Sequence, residues 1–143
     1  MDENIKIKIF LVDDDQMYLK ALENEFIKNE NFEVYTFTTG EACLNNLFLN
    51  PDIVILDYFL SNDNKKEVAD GFDILVKIRN LNPNAHVIIL SSYENVDIAV
   101  NCIKYDAFNF IVKNDTAFIR LKHTIKQIFR VHSKVKELVL WDW

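Results

Sequence analysis

The stretch IKIKIFLVDDD, residues 5–15, is a nearly unbroken apolar run that stops against three consecutive aspartates. Lys6 and Lys8 alternate with Ile at its start, whereas Ile9 to Val12 is continuous, the composition of a strand whose later half is buried on both faces. A strand of this kind, Ile5 to Val12, belongs in the interior of a sheet. Three further apolar runs, Asp52 to Leu56, Ala85 to Leu90 and Ala107 to Val112, stop in the same way, at Asp57, Ser91 and Lys113. If the four are parallel strands of one sheet, Asp13, Asp14, Asp57, Ser91 and Lys113 converge at its carboxyl edge, where open α/β sheets place their ligands.

The segments between these runs carry helical spacing, and the alternation of strand and helix predicts repeated βαβ units. Met17, Leu19, Leu22, Phe26 and Ile27 predict a first helix over Gln16 to Phe26, with Asp15 as its N-cap, ending around Asn29. Phe32 to Phe37, with Glu33, Tyr35 and Thr36 interspersed, predicts a strand at the sheet edge. Thr39 and Gly40 start a helix through Ala42, Leu44, Leu47 and Phe48 that Pro51 closes. Phe72, Ile74, Leu75 and Ile78 form the next helix, ended near Asn82-Pro83. Val96, Ala99, Val100 and Ile103 form the fourth. The expected architecture is a five-stranded parallel sheet with helices on both faces.

Composition bounds the class. The chain has 143 residues, half of them apolar and eleven of them Phe, enough for one well-filled core. Cys43 and Cys102 match no metal or redox spacing and read as small core residues of a reduced cytosolic protein. Met1 to Ile9 carries Asp2, Glu3, Lys6 and Lys8, so it does not read as a secretory leader, and no apolar run approaches the roughly eighteen residues of a membrane span. Residues 115–143 hold six Lys or Arg against three Asp or Glu, so a basic tail follows a body that carries more than the whole net charge of −6. An acidic body repels nucleic acid and suits a cation.

Asp13 beside Asp14 is a repulsive pair unless a cation or a raised pKa relieves it, and Mg²⁺ is a hard ion that takes one or two carboxylates while keeping several waters. A carboxylate next to such a cation, here Asp57, can attack a phosphoryl group to form an acyl phosphate, with Lys113 offsetting charge on the transferring oxygens. Ser91 is placed to hydrogen-bond one of those oxygens. Each residue also has an ordinary reading, as a turn former, a helix cap or a solvated strand end. Four independent strand ends with complementary chemistry make the joint functional reading the stronger one.

FLVDDD at 10–15, VILDY at 54–58, DGFDIL at 70–75, VIILSSYE at 87–94 and AFNFIVK at 107–113, in this order, resemble the receiver domain of bacterial two-component response regulators. The resemblance covers residues 5 to about 130 and implies a flavodoxin-like fold with strand order 2-1-3-4-5. It implies that Asp57 accepts a phosphoryl group from a histidine kinase or a phosphotransfer protein. Asp13 and Asp14 would position Mg²⁺, with Asp14, Asp57 and the backbone carbonyl of Phe59 as direct ligands, and Ser91 and Lys113 would bind the phosphoryl group. Ser91 and Phe110 match the switch pair whose joint movement reshapes the face formed by helix four, strand five and helix five. With Phe110 where Tyr is common, the inward state gains no phenolic hydrogen bond. The implied role is that of a cytoplasmic phosphoacceptor signalling domain that supports its own phosphotransfer and autodephosphorylation, not an enzyme in the ordinary sense.

The sequence departs from that family in three places. The loop 61–70, SNDNKKEVAD, is longer than usual, with Ser61 where Pro is common; it would either alter which kinase docks or cover the aspartyl phosphate. Asn114 stands where a proline commonly follows the lysine, a position at which the family favours a cis bond. Without proline a cis peptide costs about 2.5–4 kcal/mol, so the geometry there is left open. The tail carries Leu121, Ile125, Ile128, His132, Val135 and Val139 at heptad spacing from Phe118, with Trp141 and Trp143 beyond. It reads either as one long helix lying on its own domain or as an extension that pairs two copies.

The expected organisation is a receiver over 1–130 and a C-terminal helix extension and tail over 131–143. Two rival readings come from other classes. Asp13 with Asp15 minimally satisfies the Asp-x-Asp motif of a haloacid dehalogenase-type phosphatase, with Asp13 as nucleophile, although Met17 breaks the rest of that motif. A pseudo-receiver that binds a partner without phosphorylation is opposed by the complete acidic and switch set. No DNA-binding, ATPase or cyclase segment follows in this sequence, so output through a downstream protein is expected, with no direct contact to nucleic acid or membrane.

Overall fold

A computed structural model describes residues 6–60 and 71–132. Five strands, β1 (Ile7–Val12), β2 (Phe32–Phe37), β3 (Ile53–Asp57), β4 (His86–Ser91) and β5 (Asn109–Val112), alternate with α1 (Gln16–Phe26), α2 (Gly40–Asn45), α3 (Gly71–Leu81), α4 (Val96–Lys104) and α5 (Ala117–His132). The sheet is wholly parallel in the order β2-β1-β3-β4-β5. This is the flavodoxin-like doubly wound arrangement with α5 as a 16-residue last helix.

The near-continuous apolar strands are explained by burial on both sides. Ile9, Leu11, Ile53, Ile55, Ile88 and Leu90 pack with α1 and α5 on one face. Phe10, Val12, Val54, Leu56, Val87 and Ile89 pack with α2, α3 and α4 on the other. Cys43 and Cys102 are buried in that second core layer and form no disulfide. Leu121, Ile125 and Ile128 of the tail seam lie against the sheet. The side chain of His132, together with Val135, Val139, Trp141, Trp143 and the loop 61–70, lies outside the described residues. Among the described residues no helix is long and apolar enough to cross a membrane.

Several local expectations are corrected. Asp57 and Ser91 are the last residues of β3 and β4 rather than the residues after them. The ladder simply continues past the apolar run, because the Tyr58 N–H donates to the Leu90 carbonyl and the Lys113 N–H to the Ser91 carbonyl, both at 2.8 Å. The second helix ends at Asn45, six residues before Pro51, and tightens into a 3₁₀ turn over Leu47–Leu49 that closes on left-handed Asn50. Met17 in α1 and Ile27 just after it face solvent, at 85% and 57% exposure, and Tyr18 joins Leu19, Leu22 and Phe26 on the inner side of the helix. In α4, Val96, Val100 and Ile103 are exposed, and Cys102 with half-buried Ile98 makes the inward contact. The helix starts follow local chemistry: Asp15, Thr39 and Asn95 each cap a first turn through a side-chain oxygen.

Candidate functional site: an acidic cluster at the sheet edge

β1 delivers the first acidic residue. Asp13 stays in the ladder, its N–H donating to the Phe37 carbonyl at 3.0 Å, and its side chain is 1% exposed. Its Oδ1 accepts the Asp15 N–H at 2.9 Å and its Oδ2 accepts the Lys113 ammonium at 2.7 Å. Asp15 turns away, accepting the N–H groups of Met17 and Tyr18 at the start of α1. The three consecutive aspartates therefore divide: Asp13 inward, Asp14 at the rim, and Asp15 on the helix. Because the Asp15 carboxylate is occupied as a cap, an Asp13/Asp15 phosphatase pair has no structural support.

β3 delivers Asp57, 3% exposed, whose Oδ1 lies 3.5 Å from the Lys113 Nζ and forms no hydrogen bond. Burial and the neighbouring Asp13 raise the Asp57 carboxyl to a pKa of about 7, while Lys113 offsets part of that rise. Asp13, Asp14 and Asp57 each place one carboxylate oxygen so that all lie within 4.8 Å of one another. With all three carboxylates ionised against one ammonium, the pocket carries an excess of two negative charges, the charge of one divalent cation. The donor set is hard oxygen throughout, and a buried carboxylate oxygen without a hydrogen bond is the open valence such an ion would fill.

The neighbouring backbone is tight. Gly71 opens α3 with its N–H donating to the Tyr58 carbonyl. A Cβ at Gly71 would fall 2.6 Å from the Asp57 carbonyl oxygen and 2.7 Å from the Tyr58 Cα, so only glycine lets the helix approach the strand end. Phe59, two residues past Asp57, is 37% exposed, and its ring stands edge-on to Tyr58 and to Tyr93.

β4 and β5 bring up the remaining groups. Ser91 is fully buried, and its backbone carbonyl holds the Lys113 N–H, but its Oγ is engaged with the backbone of Tyr93. It is not the cap of α4, a role taken by Asn95. Phe110, half-buried, packs into the α2–α4 side of the core and does not meet the acidic cluster. Peptide bonds among the described residues are all trans, that between Lys113 and Asn114 included. The Asn114 side chain accepts the Thr116 N–H and so starts the turn into α5, a use that proline could not serve. Thus Asp13, Asp14, Asp57 and Lys113 are brought together, Ser91 stands beside them with its hydroxyl turned away, and Phe110 stands apart.

One member of the site carries no chemistry-bearing spacing in the sequence. Tyr18, on the first turn of α1, lays its ring over the Lys113 ammonium, 4.5 Å from Nζ to the ring centroid.

The response regulator receiver domain model matches residues 9–126, which contain every residue of this cluster. The chain belongs to the response regulator receiver domain family. Among relatives of this receiver, the chemotaxis protein CheY of Listeria monocytogenes is 31% identical over 109 residues, 75% of this chain and 86% of CheY. A cyclic di-GMP phosphodiesterase from Thermotoga maritima is 26% identical over 81% of this chain but only 30% of its own length. The receiver spans about 30% of the first curated relatives it matches. Among solved structures, the CheX-CheY-BeF3-Mg+2 complex from Borrelia burgdorferi superposes with a TM-score of 0.75 at 28% identity, covering 90% of this chain and 92% of that one.

Proposed function

We propose that this receiver accepts a phosphoryl group on Asp57 from a histidine kinase or phosphotransfer protein in the cytoplasm. The observation that carries the reading is the Asp57 carboxylate itself: buried, with an oxygen that makes no hydrogen bond, and 3.5 Å from a lysine ammonium. In the transfer, an Asp57 oxygen forms a bond to phosphorus while the bond from phosphorus to the donor's leaving group breaks, giving an acyl phosphate. Raised toward neutrality, the carboxyl must shed its proton before attack, and Lys113 favours the ionised form. The same ammonium, already within reach, then meets the phosphoryl oxygens.

Asp14, Asp57 and the Phe59 carbonyl are the direct ligands we assign to Mg²⁺. Asp13 positions it, because both Asp13 oxygens already accept hydrogen bonds. When bound there, Mg²⁺ would supply positive charge to offset charge on the phosphoryl oxygens. For Ser91 to donate to a phosphoryl oxygen, its hydroxyl must exchange its bonds at Tyr93 for a charge-assisted one, roughly twice as strong. That exchange makes Ser91 the sensor. Phe110, half-buried in β5, is the residue we assign as its follower, turning inward to reshape the α4-β5-α5 face for a downstream protein. The domain division is 1–130 for the receiver and 131–143 for an extension able to pair two copies.

The test is binding of beryllofluoride with Mg²⁺, followed by amide NMR. Wild type should show coordinated shifts at Ser91, Phe110 and α4, all lost in Asp57→Asn. The same shifts persisting in that variant would overturn the assignment.

A further inference from the structure

We propose that Tyr18 is a positioning residue for Lys113, its ring forming the wall that holds the ammonium against Asp13 and Asp57; this rests on the phosphoacceptor reading above. The Lys113 side chain is only 11% exposed, although it is a long charged side chain at a strand end. Its ammonium meets Asp13 at 2.7 Å and Asp57 at 3.5 Å, and a third side is covered by the Tyr18 ring face at 4.5 Å. A cation over an aromatic face is attracted by the ring quadrupole, more strongly where water is excluded. The ring therefore supplies what a third hydrogen-bonding partner would not: attraction to the ammonium without competition for the phosphoryl oxygens.

The ring is itself held from two directions. Asp15 accepts the Tyr18 N–H at 3.2 Å, so the third aspartate of the run fixes the backbone that carries the ring. From α5, Phe118 braces it edge-on, with centroids 5.9 Å apart and planes at 74°. Two sequence features that the acidic cluster does not use, the cap at Asp15 and the aromatic start of α5, thus converge on the lysine.

The hydroxyl separates this role from ordinary packing. The Tyr18 oxygen is buried and makes no hydrogen bond among the described residues. Burial and the charges of Asp13 and Asp57 push its pKa up to about 12, so it stays neutral and adds no competing anion. No described residue bonds the hydroxyl, and the ring alone should suffice.

The experiment compares Tyr18→Phe with Tyr18→Leu, and with Tyr18→Met should the Leu variant not fold. Two readouts are taken: the NMR shift of the Lys113 ε-methylene, which a ring face moves upfield, and the rate of aspartyl phosphate formation from acetyl phosphate with Mg²⁺. The Phe variant should keep the upfield shift and a rate within about twofold of wild type, whereas loss of the ring should abolish the shift and slow phosphorylation roughly tenfold. An unmoved methylene shift without the ring, an unchanged rate without it, or an equal loss in the Phe variant would each overturn the proposal. If wild type takes up no phosphoryl group, the phosphoacceptor reading fails, and the methylene shift still decides whether Tyr18 holds Lys113.

Discussion

Replacing Asp57 should make the metal-free protein more stable, and the size of the gain follows from the crowding around it. Asp57 is 3% exposed with Asp13 and Asp14 beside it and one ammonium to share. Burial and Asp13 hold its pKa near 7, well above the ordinary carboxyl value of 3.8. About three units at 1.36 kcal/mol each set a ceiling near 4 kcal/mol on the cost of ionising it in the fold. Lys113 offsets part of that cost, and a buried carboxamide brings its own desolvation, so Asp57→Asn should gain about 2 kcal/mol at pH 8.

The sign against pH is fixed. Between about pH 4 and 7 the unfolded chain has lost the Asp57 proton while the folded chain keeps it, so wild-type stability falls as pH rises through that window. Below pH 4 the side chain is neutral in both states and the gap to the variant closes; above pH 7 the gap is constant. Urea unfolding in EDTA at pH 4, 5.5 and 8 measures it. Adding Mg²⁺ at about a hundred times its dissociation constant should return roughly 2.7 kcal/mol to wild type and less to the variant. A variant less stable than wild type at pH 8 in EDTA, or a gap that ignores pH, would refute the reasoning.

Gly71→Ala should cost about 2 kcal/mol and weaken beryllofluoride binding, because its Cβ displaces the backbone of Asp57 and Tyr58; urea unfolding and titration check both. Lys113→Ala leaves Asp13 and Asp57 buried without their cation, and about 3 kcal/mol of stability should be lost at pH 8 in EDTA, shrinking toward pH 5 as a proton replaces the ammonium. Asp15→Asn keeps an equally good cap for α1, so stability and aspartyl phosphate formation should stay within about twofold of wild type. A general acid at that position would instead lose at least about a hundredfold.

The strand runs and their polar endings were legible because a parallel sheet buried on both faces leaves little room for polar residues until the carboxyl edge. Asp13, Asp14, Asp57 and Lys113 were thus readable as a group before any coordinate. Helix faces were less so. In α1, an apolar count puts Met17 and Ile27 with the inner residues, but at 3.6 residues per turn Met17 lies opposite the face of Leu19, Leu22 and Phe26, which Tyr18 borders, and Ile27 follows the helix end. In α4 the apolar residues Val96, Ile98, Ala99, Val100, Cys102 and Ile103 are spread around the helix, so periodicity could not tell exposed Val96 and Val100 from inward Cys102. Tyr18 escaped notice for a related reason. An aromatic three residues past a capping aspartate looks like ordinary core, and its partner Lys113 lies 95 residues away, on another strand end. Its available signal was the start of α5, where Phe118 supplies a second ring.

The central claim is that Asp57 takes the phosphoryl group, and chemical trapping tests it most directly. The protein is treated with acetyl phosphate and Mg²⁺, the acyl phosphate is reduced with borohydride to homoserine, and peptides are mapped by mass spectrometry. The account predicts homoserine at position 57 alone, and none in Asp57→Asn. Homoserine at Asp13, or labelling that survives loss of the Asp57 carboxylate, would contradict it.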